Sequence, residues 1–129
     1  MTELPTETLA RLTAVSTATL TTVLFKRGLR NTFLQNVRPL NTGAARMVGP
    51  AFTLRYIPAR EDLDGLNVFE HRTHPQRAAV EDCPPGHVLV MDSRGDAQAA
   101  SSGNILVTRL MRRGVVNLVA FASATTAAS

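Results

Sequence analysis

The stretch from residue 87 to 121 constrains the fold more than any other part of the chain. His87 to Asp92 reads as a short apolar strand, Ser93 to Ser102 as a polar loop, 103–113 as a helix, Gly114 as its stop, and 115–121 as a second apolar strand. That order is a β-α-β unit. Both strands are continuous apolar runs, as parallel strands covered on two faces should be, and a crossover of this kind is right-handed. The expected fold class is therefore α/β, with helices packed on a mixed sheet.

Upstream, Leu9, Leu12, Val15, Leu20, Val23 and Leu24 recur at the helical period. Two short helices fit, over 4–15 and 17–27, with Ser16 capping the second and Gly28 ending it in the left-handed region. A strand is expected over 33–40, stopping at Pro39, and a longer one over 47–57. In the longer one Phe52, Leu54 and Tyr56 alternate with Thr53 and Arg55, giving one apolar and one polar face. Residues 59–73 are charged and aperiodic, which reads as a surface loop. Pro75 suits the first turn of a helix running to about Asp82, closed by Pro84-Pro85-Gly86.

At 129 residues and 44% hydrophobic content, the chain is long enough for one domain with a core, expected over 1–129. No apolar run is long enough to span a bilayer, and the acidic start MTELPTETLARL lacks the pattern of a secretion signal. A soluble cytoplasmic protein is the expectation. Cys83 stands alone, so it has no disulfide partner within the chain and reads as a bystander. The net charge of +4 is carried almost wholly by arginine, dispersed from Arg11 to Arg113. The densest group is Arg109, Arg112 and Arg113 on one helix, and one Tyr with no Trp leaves little to stack on bases. A nucleic-acid partner is not expected.

Chemistry is expected where the strand of the β-α-β unit passes into its helix, at Ser101-Ser102-Gly103-Asn104-Ile105-Leu106. Open α/β sheets bind ligands at this edge. The first helical turn leaves N–H groups unpaired, and its dipole favours an anion by roughly 1 kcal/mol. Gly103 lets a ligand approach closely. The alternative is that Ser102 simply caps the helix and Gly103 relieves a tight turn. Asp92 and Asp96, with Arg94 between them, are either oxygen partners for a hard cation or ordinary loop residues. His71 and His74 come together only on a helix, which Pro75 interrupts, so no metal site is expected there. Glu81 and Asp82 end a helix where negative charge opposes the dipole, and a solvated surface accounts for them.

Several ordered motifs resemble the RraA-like proteins, which include 4-hydroxy-4-methyl-2-oxoglutarate aldolases, oxaloacetate decarboxylases and the regulator of ribonuclease activity A. They are Ser16-Thr17-Ala18-Thr19-Leu20 with the Gly28 stop, Val37-Arg38-Pro39-Leu40, and Val48-Gly49-Pro50-Ala51-Phe52-Thr53. Further along, Pro84-Pro85-Gly86-His87-Val88-Leu89-Val90-Met91-Asp92 and Gly103 to Leu106 with Arg113-Gly114 continue the match. The resemblance implies a three-layer α/β/α fold, like a swivelling phosphohistidine domain, assembled as a trimer or hexamer. It implies a divalent cation, Mg2+ or Mn2+, whose ligands in this chain stay unassigned, and a small keto acid that yields pyruvate. Gly103, Asn104, Ile105 and Leu106 would bind that keto acid through backbone N–H groups.

The resemblance then breaks. The family completes its site with an Arg-Asp pair, and the matching positions here are Thr125 and Thr126, inside a divergent low-complexity tail over 121–129. Neither hydroxyl replaces a guanidinium or a carboxylate, and Asn104 is neutral where many relatives are acidic. The expectation is a fold incomplete at its C-terminus through truncation, frame change or degeneration. Three readings follow: a metal-dependent aldolase or decarboxylase impaired by that loss; a regulator that binds a ribonuclease or helicase through its surface; or a fragment whose open sheet edge leaves it poorly folded.

Overall fold

The computed structural model describes residues 4–35, 37–39, 43, 46–94 and 102–115, and the backbone alone of 117–121. Its contacts divide into two compact units, Met1–Val48 and Gly49–Ser129.

The first unit holds α1 (Thr6–Ala14) and α2 (Thr17–Lys26). The expected break between them is real. Ser16 is extended, and its Oγ accepts from the Thr19 N–H at 3.1 Å, the side-chain cap that a helix start requires. At the other end Gly28 takes φ +83°, and the N–H of Leu29 returns to the Leu24 carbonyl at 3.0 Å. Arg46 donates from Nη1 to the Thr13 and Val15 carbonyls, both at 3.1 Å, and so satisfies the last turn of α1. Among the described residues no single helix is long and apolar enough to cross a membrane; α1 and α2 bend by 109° at their break.

The second unit holds β1 (Ala51–Arg55), a 3-10 turn (Leu66–Glu70), α3 (Pro75–Asp82), β2 (Val88–Asp92), α4 (Asn104–Arg112) and β3 (Asn117–Phe121). The sheet order is β1-β2-β3 and both pairings are parallel, with Phe52 beside Leu89 and Leu89 beside Leu118. The three described strands therefore form a parallel sheet where a mixed one was expected. Each successive pair of strands is joined by a segment that carries a helix, and such a crossover returns the chain in the same direction.

One face of the sheet carries the core. Leu89 and Met91 are wholly buried and cluster with Ala79, Val80 and Cys83 beneath α3 and with Leu110 of α4, while Phe52, Leu54 and Tyr56 pack against the margin. The α4 helix presents Leu106 and Leu110 to this cluster and Arg109 and Arg112 outward. Arg109 then reaches across to α3, donating from Nε and Nη2 to the two oxygens of Glu81 at 2.9 and 2.8 Å, while Arg113 lies 3.5 Å from the same carboxylate. Glu81 is thus the clamp between the two helices, not the solvated end of one. Its carboxyl is held below the ordinary range first by the Arg109 hydrogen bond, with further attraction from Arg113 and Arg72.

Three further expectations change. The described residues of 33–40 form no strand, and Phe33 and Leu34 are 59% and 50% exposed, so this segment has no buried face to order it. The strand expected over 47–57 shrinks to Ala51–Arg55, because Pro50 has no N–H for the ladder, although its carbonyl accepts from Val88 N at 2.9 Å. Within 59–73 the 3-10 turn is ordered: the Phe69 ring lies 4.7 Å from that of His74, and Arg77 donates to the Phe69 and Glu70 carbonyls.

At the amino edge of the sheet, glycines close the turns. Gly86 and Gly114 both take φ +76°, and the Gly86 N–H donates to the Gly114 carbonyl at 2.9 Å. Gly49 sits against the first of these turns, where an added Cβ would lie 2.5 Å from the Gly86 carbonyl oxygen.

Candidate functional site

The opposite, carboxyl edge is where β2 ends at Asp92 and α4 begins at Asn104. The α4 N-cap is Gly103, at φ −106° and ψ 170°, with no side-chain cap. The first main-chain bond of the helix runs from Val107 N to Gly103 O at 3.2 Å. It follows that the N–H groups of Asn104, Ile105 and Leu106 have no partner within the helix. These are the positions singled out in the sequence.

The sequence-based alternative, that Ser102 caps this helix, does not hold. Ser102 Oγ is buried and makes no hydrogen bond among the described residues. Neither backbone angle nor crowding among the described residues demands a glycine at 103: its φ is negative, and an added Cβ would meet none of them within 4 Å. Asn104 turns its side chain along the helix, with Oδ1 accepting from Thr108 Oγ1 at 3.4 Å, so it leaves its own N–H uncovered. Ile105 is 86% exposed.

Two further groups stand at this edge. Ser93 follows Asp92 and is only 7% exposed, and its Oγ also lacks a partner among the described residues. Sequence reasoning missed it, because a serine after a strand looks like any loop residue until its burial is known. Asp92 is engaged: Oδ1 accepts from Arg94 N at 2.8 Å, and Oδ2 lies 3.6 Å from Arg55 Nε, its neighbour in register on β1. Arg94 holds φ +57° to make the first of these contacts. Asp96, Ser101, Thr125 and Thr126 lie outside the described residues.

The fit to a divalent cation follows from the donors. Among the described residues no three His, Cys, Asp or Glu side chains come together. Among the described residues Asp92 is the carboxylate nearest the α4 start in sequence, and its oxygens face a backbone donor and a guanidinium. The described residues therefore do not by themselves form a site for Mg2+ or Mn2+. Elsewhere, an open depression in the first unit is lined by Phe25, Arg30, Asn31 and Phe33 among others. Arg30 is stacked 5.0 Å over the Phe25 ring, and the described lining residues include no Asp, Glu, His or Cys.

Comparison with known proteins agrees with the geometry. The family described as RraA-like, Aldolase/RraA, matches residues 15–124. Among solved structures, the chain is similar to Streptomyces coelicolor RraAS2, described as an unusual member of the RNase ES inhibitor RraA protein family. The TM-score is 0.75 at 31% identity, over 90% of this chain and 54% of that one. The chain thus spans about half the length of that relative.

Proposed function

The chain belongs to the RraA-like family, and from that premise we propose that the amino end of α4 is a binding site for a small keto acid. The reaction proposed is that of a divalent-metal-dependent aldolase or decarboxylase releasing pyruvate from 4-hydroxy-4-methyl-2-oxoglutarate or oxaloacetate. The observation that carries the reading is the first turn of α4, where, among the described residues, no side chain caps the helix and three N–H groups without a partner in the helix follow a glycine.

In this reading the N–H groups of Asn104, Ile105 and Leu106, with Gly103 admitting the ligand, hold the keto-acid carboxylate and the oxygen on which negative charge grows as the carbon-carbon bond breaks. Fixed donors of this kind need no reorganisation when charge develops, which is why they favour the transition state over the ground state. The metal, Mg2+ or Mn2+, enters by family membership alone, and no step is drawn through it. Family membership also supports a three-layer fold whose sheet extends beyond the strands described, a trimeric or hexameric assembly, and a cytoplasmic setting. Thr125 and Thr126 supply no charge in place of the family's Arg-Asp pair, so activity is proposed to be low.

The test is oxaloacetate decarboxylation with Mg2+ or Mn2+, corrected for the metal-only rate, for the chain as it stands and for the double variant Thr125→Arg/Thr126→Asp. A rate that rises in the variant supports the reading. A folded variant that stays at the metal-only rate refutes it. The second reading, a protein that binds and inhibits a ribonuclease, is favoured by the description of the Streptomyces relative. It is distinguished by inhibition of an RNase E-type enzyme that persists in the Gly103→Ala variant, since a docking surface does not depend on the keto-acid site.

A further inference from the structure

Ser93 carries a small, buried hydroxyl with no hydrogen-bond partner among the described residues. It is 93% withdrawn from solvent, taking the complement of its 7% exposure, and its Oγ is without a partner among the described residues. A hydroxyl left in that state opposes folding, because its bonds to water are lost and not replaced. Structural convenience does not explain it, since alanine would fill nearly the same space at no such disadvantage.

Its position gives the explanation. Side chains alternate along β2, so Leu89 and Met91 share one face and Val90 and Asp92 the other. Ser93 continues the Leu89 and Met91 series and is buried as they are. That face is the one α4 covers, since Leu106 and Leu110 join the same cluster. Carried one residue past the end of β2, the same alternation assigns Ser93 to the α4 side of the sheet, at the edge where α4 begins. Asp92, on the other face, directs its carboxylate to Arg55 and to Arg94 N and does not compete for the same space. On the helix side Ser102 Oγ, next to the Gly103 N-cap, is a second buried hydroxyl without a partner among the described residues. Free N–H groups, a glycine open to approach and two hydroxyl donors thus share one edge.

We propose that Ser93, with Ser102, is a positioning residue that donates a hydrogen bond to an anionic oxygen of the small carboxylate bound at the amino end of α4. The inference rests on the keto-acid reading of that site and adds to it a side-chain donor set particular to this chain. A hydroxyl bonded to a carboxylate is worth about tenfold or more in affinity.

The experiment compares the unmodified chain with Ser93→Ala in two measurements: calorimetric binding of oxalate, a mimic of the pyruvate enolate, in the presence of Mg2+, and thermal unfolding without ligand. The expected result is oxalate affinity reduced about tenfold or more in Ser93→Ala, with an unfolding temperature no lower than that of the unmodified chain. A fall of several degrees in the ligand-free protein overturns the inference, because it shows the hydroxyl already bonded within the fold. Equal oxalate affinity in the two proteins also overturns it while leaving the keto-acid site standing. Failure of the unmodified chain to bind oxalate or pyruvate overturns the keto-acid reading and this inference with it.

Discussion

Replacing Gly49 with alanine probes how tightly the amino edge of the sheet is closed. The new Cβ would lie 2.5 Å from the Gly86 carbonyl oxygen and 3.5 Å from Val88 Cγ2. Non-bonded heavy atoms rest at about 3.5 Å or more, so roughly 1 Å of displacement is required. The obstructing atom is backbone, and it cannot move alone. The Gly86 N–H is tied to the Gly114 carbonyl at 2.9 Å, and Val88 N to Pro50 O at 2.9 Å, so displacement strains both the turn and the β1-β2 register. Overpacking of this kind destabilises by about 1–3 kcal/mol, offset by about 0.4–1 kcal/mol because alanine restricts the unfolded chain. The net loss of about 1–2 kcal/mol lowers Tm by roughly 4–10 °C for a chain of this size. Thermal unfolding followed by circular dichroism reads this directly. A Gly49→Ala protein melting within about 1 °C of the unmodified chain, where the strain should cost several degrees, would refute the packing argument.

Two further outcomes follow from the same structure. Gly103→Ala should lose no more than about 1 kcal/mol of stability, the ordinary difference between glycine and alanine at an N-cap, while oxalate binding drops sharply; titration calorimetry beside thermal unfolding checks both. Glu81→Gln should be less stable than the unmodified chain at pH 7, and the difference should close on acidification. The folded carboxyl titrates below its ordinary 4.5, so the unfolded chain takes up the proton first. The stabilisation is thus complete above about pH 4.5 and is lost as the pH falls through the folded value, which urea unfolding at several pH values would show as two converging curves.

What the sequence made legible was whatever depended on neighbours along the chain. The β-α-β order, the Ser16 cap, the Gly28 and Gly114 stops and the Pro75 start are local signals, and each stands where expected. The start of α4 after Gly103 belongs to the same class, because a glycine before a helix is a local pattern. What failed depended on partners distant in sequence. Glu81 was misread because the dipole argument considers only its own helix, whereas its guanidinium partner Arg109 lies 28 positions away. The segment 33–40 has strand-like composition, but Phe33 and Leu34 find no face to cover them. The parallel pairing of the strands in the β-α-β unit followed from a crossover visible in the sequence, whereas the pairing of β1, which joins β2 across a longer connection, was not visible there. Orphaned hydroxyls are a tertiary property altogether: nothing in the sequence distinguishes Ser93 or Ser102 from a serine that caps a turn.

The two edges of the sheet use glycine for opposite ends, and this contrast is what separates structure from function here. At the amino edge, Gly86 and Gly114 are fixed by positive φ and Gly49 by a backbone atom in its way, so each is required whether or not a ligand exists. At the carboxyl edge, Gly103 has ordinary backbone angles and no described residue within 4 Å of an added Cβ. Its neighbours reinforce the distinction, since the buried hydroxyls of Ser93 and Ser102 have no partner among the described residues, whereas the turn amides at the other edge are bonded. A residue that the fold does not need, beside groups that the fold would be better without, is explained when selection acts on something the fold holds. Comparing Gly49→Ala with Gly103→Ala separates the two roles: the larger loss of stability should fall in the first and the loss of ligand affinity in the second, and a Gly103→Ala stability loss well above about 1 kcal/mol would return Gly103 to the scaffold.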